Sequence, residues 1–149
     1  MSNPVLKKLQ QLQRAQETRI ALYQEFEEAY QDYLKEKCPE EQYSSICKIV
    51  TEGFQEVSWE IQAIESDFRD TDRADLAQLV RRLQLAEKEK LNDASTVRIQ
   101  IYTIESKKGD MDYDATVEEA KQKLQHTMAE IQEAWDDIRQ EMAEQAYEE

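Results

Sequence analysis

Residues 96–104 read TVRIQIYTI, and the fold class turns on whether this run is a strand or a helix. Apolar and polar side chains alternate through Val97, Ile99 and Ile101, a period of two that suits a half-buried strand. The same residues also fit a helix. Val97, Ile101 and Ile104 are spaced four and three apart and continue a face marked by Leu76, Leu79, Leu83, Leu91 and Ala94. No other stretch offers a partner strand, so the helical reading is adopted.

The rest of the chain agrees. Its 149 residues contain two glycines and two prolines, too little turn chemistry for a sheet with many tight turns. Glu, Gln, Lys, Arg, Leu and Ala dominate, and all are favourable in helix interiors. The expected class is all-α, with about four long amphipathic helices in one domain, 1–149. Periodicity and breaks place the helices at roughly 4–37, 40–68, 72–106 and 116–145.

Helix one opens at Asn3, a good cap, with Pro4 in the first turn, where a missing N–H costs nothing. Its seam runs Val5, Leu9, Leu12, Tyr23, Phe26, Tyr30 and Tyr33, interrupted by Gln16 and Arg19. Pro39 disfavours helix at Cys38. Helix two carries Tyr43, Ile46, Val50, Phe54, Val57, Ile61, Ile64 and Phe68, with Gly53 inside it to let a bulky neighbour approach. Thr71 or Asp70 can cap helix three, whose polar middle, EKEKLNDAST, is a place for a kink. Thr116 and Glu119 form a capping box for helix four, which carries Val117, Leu124, Met128, Ile131, Trp135, Ile138 and Met142. Short connections favour antiparallel neighbours, so the expected architecture is an antiparallel helical bundle or, failing that, paired helical hairpins closed by a partner.

The net charge of −14 is uneven. Residues 1–72 carry 8 basic and 15 acidic side chains, 73–108 carry 8 and 5, and 110–149 carry 3 and 13. That distribution argues against direct nucleic-acid binding, which needs clustered Lys and Arg. Arg81, Arg82, Lys88 and Lys90 make one limited basic patch, which a solvated helix face also explains. Cys38 and Cys47 do not make a disulfide framework and read as free thiols. No apolar run reaches the length that spans a bilayer, and the amino terminus lacks the apolar region of a signal peptide. The expectation is a soluble, intracellular protein, nuclear, cytoplasmic or both, with no membrane contact and unknown oligomeric state.

The stretch GDMDYDATVEEAK, from Gly109, begins like a calcium loop, with Asp110, Asp112 and Asp114 at the first three ligand positions. Ala115 stands where such a loop needs glycine, and Lys121 where it needs a bidentate glutamate. The stretch reads instead as an acidic connector at the positive end of a helix dipole. The one histidine, His126, has Lys123 rather than Glu three residues before it, which does not suit a di-iron bundle. No phosphate loop or nucleophile arrangement is present. No catalytic residue, metal ligand or cofactor is therefore expected, and the chain is read as not an enzyme.

Arg19 lies on the apolar seam one turn before Tyr23. A buried guanidinium needs a partner, and Glu60, Glu65 or Glu87 can supply a carboxylate. Such a pair sets helix register; the other reading is a contact for an acidic partner.

Three segments, in order, are similar to the Required for excision 1-B domain family. Helix one has QETRIALYQEFEEAYQDYL, with Thr18, Arg19, Tyr23, Tyr33 and Leu34 at the family's positions. Helix two has TEGFQEVSWEIQAIE, with Thr51, Phe54, Ser58, Glu60, Ile64 and Glu65. Helix three has Leu83, Gln84 and the run Glu87, Lys88, Glu89, Lys90, Leu91. The resemblance covers 18–95 and ends before the acidic connector. It implies a small helical accessory protein in DNA excision repair, without catalytic residues. Arg19, Tyr23, Glu60, Glu65, Glu87 and Lys88 are the residues expected to bind a partner or set register. The expected function is a non-enzymatic adaptor acting through protein partners. The alternative is a structural helical subunit of a cytoskeletal or ciliary assembly.

Overall fold

A computed structural model describes residues 3–93, 96–109 and 113–148. Helix occupies 91 % of it, with no strand among the described residues, so the chain is all-α. The order is α1 (Pro4–Leu34), α2 (Glu40–Asp70), α3 (Ala74–Lys88), a π-helical turn (Glu89–Asp93), α4 (Thr96–Lys107) and α5 (Asp114–Glu148). The run 96–104 is thus helical. Ala94 and the Val97 side chain on its expected face, and Asp110 and Asp112 of the connector, lie outside the described residues.

The described chain forms two compact units. One comprises residues 1–77 with 141–149, the other 78–140.

In the first unit, α1 starts as its sequence predicts. The Asn3 carboxamide oxygen accepts from the Val5 and Leu6 N–H groups, each at 3.1 Å, and Pro4 follows in the first turn. α1 then pairs with α2 in antiparallel register. Lys8 meets Asp67, Leu22 packs on Gly53, the Tyr23 ring lies tilted against Phe54, and Tyr33 stacks on Tyr43, so along the hairpin partner numbers fall on α2 as they rise on α1. The core between them holds Leu9, Leu12, Phe26, Val57, Ile61 and Phe68, all buried. Each such side chain contributes about 1.5–3 kcal/mol by leaving water. The half-exposed Lys8–Asp67 ion pair adds about 1 kcal/mol, so the seam, not the charges, holds the hairpin.

Gly53 supplies the expected close approach. A Cβ there would sit 2.8 Å from Leu22 Cδ2 and 3.1 Å from Cδ1. The absent side chain is what lets α1 and α2 close at this level, at a cost of about 1 kcal/mol in helix propensity.

Helix ends differ from their sequence expectations. α1 stops at Leu34, not near 37. Glu36 adopts φ 61°, and the Lys37 and Glu36 N–H groups return to the Asp32 and Tyr33 carbonyls at 2.8 and 3.1 Å. That is a Schellman closure with glutamate in the position glycine usually fills. α2 repeats it: Asp72 has φ 63°, and the Arg73 N–H reaches the Phe68 carbonyl at 2.8 Å. Thr71 therefore caps no following helix. Its hydroxyl donates back to the Asp67 carbonyl at 2.7 Å, and α2 extends through Asp70.

In the second unit, Val80, Leu83 and Ala86 of α3 are buried, as are Val117, Ala134 and Ile138 of α5. Helix three does not run unbroken from 72 to 106. The polar middle widens into the π-helical turn, which changes the phase of α4 relative to α3. A face extrapolated through it at 3.6 residues per turn misplaces Ile101, which is 51 % exposed, while Gln100 beside it is buried.

The Thr116–Glu119 capping box is not used. α5 begins at Asp114, with the Val117 N–H bonded to the Tyr113 carbonyl at 2.8 Å, and both Thr116 and Glu119 are exposed inside the helix. Tyr113 fixes the earlier start. Its N–H donates to Ser106 Oγ at 3.0 Å and its ring lies 5.1 Å from that of Tyr102. Asp114 then meets the positive helix end in the first turn. Gly109, with φ +80°, supplies the left-handed residue that ends α4.

Candidate functional site

The first unit buries two polar side chains on the α1 seam. Gln16 and Arg19 are 5 % and 4 % exposed, and Arg19 Nη1 donates to Gln16 Oε1 at 3.0 Å. The two residues that interrupt the seam in sequence are therefore joined in the structure. One turn on, the half-buried Tyr23 ring lies 4.7 Å from Phe54.

The three carboxylates considered for Arg19 have different settings. Glu60 is exposed on α2. Glu65 is buried and accepts from Arg69 through Oε2, while its buried Oε1 has no hydrogen-bond partner among the described residues. Glu87 is buried on α3, in the second unit, and Lys88 beside it is exposed.

A second polar cluster ties three helix ends within the first unit. Arg73 donates through Nε and Nη2 to the two Asp75 oxygens at 3.1 and 3.0 Å, and through Nη2 to Glu141 at 3.1 Å. Gln145 Nε2 joins Glu141 at 3.0 Å, and Asn3 Nδ2 reaches the Gln145 carbonyl and side-chain oxygens at 3.3 and 3.2 Å. The Asp75 carboxylate, then Glu141, holds Arg73 more firmly charged than usual. Arg73 in turn holds the Asp75 carboxyl below its ordinary range.

A native value below the unfolded one means stability that is present at neutral pH and lost on acidification. Asp75→Asn is expected to lower stability at pH 7 by less than about 1 kcal/mol, because Asp75 is exposed and screened. The difference from wild type should be complete above about pH 5 and fade as the pH falls from about 4 through the lowered native value. Paired thermal melts across that range check it; a difference that grows in acid would refute the assignment.

At the α1–α2 turn, Tyr33 and Tyr43 stack with ring planes 1° apart. Burial raises the Cys47 thiol, and burial with the Cys47 contact raises the Tyr43 hydroxyl. A thiol pushed up is the reverse of an activated nucleophile. Cys38 and Cys47 are both free and half-buried.

In the second unit an open cleft of about 290 Å³ is lined by Arg82, Leu85, Ala86, Glu89, Glu130 and Glu133. Arg82 is engaged there. Its Nη1 donates to Asp137 at 2.9 Å and its Nη2 lies 3.9 Å from Glu133. The expected basic patch is thus partly neutralised by α5, although Arg81 and Lys88 stay exposed. His126 sits on the exposed side of α5, 3.0 Å from Glu130.

Among the described residues no group of three or more His, Cys, Asp or Glu is placed to hold a metal ion. No helix among them is long and apolar enough to cross a membrane.

Sequence reasoning overlooked two features. Trp59 falls between the stripe residues Val57 and Ile61 and is 59 % exposed. Its signal was an aromatic side chain on an otherwise polar helix face. The cleft needed knowledge of which α3 turn faces which α5 turn, and no local pattern carries that.

Comparison with known proteins fits the helical region described. The family model for DNA repair REX1-B matches residues 7–103, a span that contains Arg19, Tyr23, Glu60, Glu65, Glu87 and Lys88. Its name is close to that of the family resembled by residues 18–95. The heterochromatin silencing protein rss1 of Schizosaccharomyces pombe is 30 % identical over 129 residues, covering 87 % of this chain and 93 % of that protein. No solved structure matches the chain. The matched span runs through α1, α2, α3 and most of α4, and on that basis the chain belongs to the DNA repair REX1-B family.

Proposed function

We propose that this chain is a non-enzymatic helical adaptor that serves DNA excision repair in the nucleus by contacting other proteins. The observation that carries the reading is the solvent-facing side of the α1–α2 hairpin. Trp59 is 59 % exposed on the side of α2 away from its buried stripe, and Ile49 of α2 and Ile20 of α1 are 64 % and 51 % exposed elsewhere on the hairpin. Large aromatic side chains left in water on a charged face are what protein interfaces use as anchors. All three lie within the span matched to the repair family. The name of the S. pombe relative supports a chromatin setting, and a net charge of −14 favours protein over DNA as the direct contact. Within this reading, Arg19 and Gln16 set the register that presents the face, rather than touching the partner.

The test is survival after ultraviolet exposure in cells lacking the gene. Sensitivity is expected, reversed by the wild-type chain but not by Trp59→Ala. That variant should fold normally, within about 0.5 kcal/mol, since Trp59 is outside the core. Normal survival without the gene would end the repair reading, and localisation to a filament or axoneme would move the assignment to a structural subunit.

A further inference from the structure

The cleft of the second unit combines an apolar floor with an acidic rim. Leu85 and Ala86 form the floor, and Leu85 is 53 % exposed although it is a large aliphatic side chain. Glu89, Glu130 and Glu133 stand around it. The one arginine of the rim, Arg82, is bound to Asp137 and lies near Glu133, so it does not offset the remaining carboxylates. No cation pairs with Glu89 among the described residues, and Glu130 has only the exposed His126, which is charged only when protonated.

These features select the occupant. An acidic partner or a nucleic acid meets three glutamates. A second copy of this chain brings a net charge of −14 to the same rim, so self-association through it is opposed. A small molecule finds an open trough rather than an enclosing pocket. A helix with one apolar anchor flanked by Lys and Arg matches both the floor and the rim, the usual arrangement for a helix lying in a groove.

We propose that the cleft docks a basic amphipathic helix of a protein partner, its apolar residue on Leu85 and Ala86 and its Lys or Arg side chains on Glu89, Glu130 and Glu133. This rests on reading the chain as a protein-binding adaptor, and it adds a second contact apart from the Trp59 face.

The test uses the full chain and a fluorescent synthetic Leu–Lys amphipathic helical peptide, with oligolysine of equal charge as control. The Leu–Lys peptide should bind and oligolysine bind at least about tenfold more weakly. Leu85→Gln, and separately Glu89→Gln with Glu133→Gln, should each weaken the peptide about tenfold. The double glutamine variant should also show a shallower salt dependence than wild type. Glu25→Gln with Glu28→Gln, exposed acids on α1, should leave binding unchanged. Helical circular dichroism confirms folding; Glu133 is 78 % exposed at its side chain, so the charge variants remain informative should Leu85→Gln unfold. Equal binding of oligolysine, equal loss in the α1 variant, or no binding would overturn the proposal. So would dimerisation abolished by Leu85→Gln, which would assign the cleft to a second copy. Because the assay is made with purified chain, its failure leaves the survival test of the repair reading intact.

Discussion

Phe68→Ala is expected to remove about 3–5 kcal/mol of stability, the range for truncating a buried aromatic side chain. Phe68 is 1 % exposed near the end of α2, and its carbonyl accepts the Arg73 N–H that closes the helix. Truncation opens a void where the backbone is already committed to that closure, so the site has little freedom to collapse. Against a total stability of about 5–15 kcal/mol this is about a fifth or more. The melting temperature should fall by about 10 °C, and the urea midpoint should drop with an unchanged slope. An unaltered midpoint would mean that the α2 terminus does not pack as described.

Arg19→Ala has the second largest expected effect, about 2–4 kcal/mol, from lost packing of the buried stem and from polar groups left unsatisfied. Of the two roles considered for this residue we propose the register-setting one, and its burial supports that reading. A guanidinium at 4 % exposure is in place to order helices, whereas one reserved for an acidic partner should be reachable from solvent. Arg19→Lys should not restore stability, because an ammonium cannot reproduce the planar fork. A cycle with Gln16→Ala should show coupling of about 0.5–3 kcal/mol, since the two side chains share a hydrogen bond. Wild-type melting of Arg19→Ala, with loss only of partner recovery, would reverse the assignment.

Helix identity and the α1–α2 seam were legible because they rest on periodicity sustained over thirty or so residues, and local context rarely overturns such a signal. The Asn3 cap was legible because residue type and position coincide. Helix ends were not. With two glycines in the chain, left-handed positions fall to Glu36 and Asp72, whose identity gives no warning. Such positions cost an ordinary residue about 1–2 kcal/mol, and the closures at Asp32 and Phe68 offset that locally. The start of α5 was misplaced because the Tyr113 contacts with Ser106 and Tyr102 are tertiary, whereas a capping box is a local pattern. The candidate sites divide the same way. Arg19 stood out as a charge on an apolar seam. The Arg82 cleft depends on helices distant in sequence, and Trp59 carried a signal that a stripe-based reading passes over.

The π-helical turn at Glu89–Asp93 also bears on how this sequence can change its length. An i→i+5 turn encloses one residue more than an α-turn, so deleting one residue here can convert it to regular helix, whereas a deletion inside α1 or α2 would rotate every later seam residue by about 100°. A relative one residue shorter at this turn is therefore expected to keep the seams on both sides in phase, which aligning family members over this turn checks.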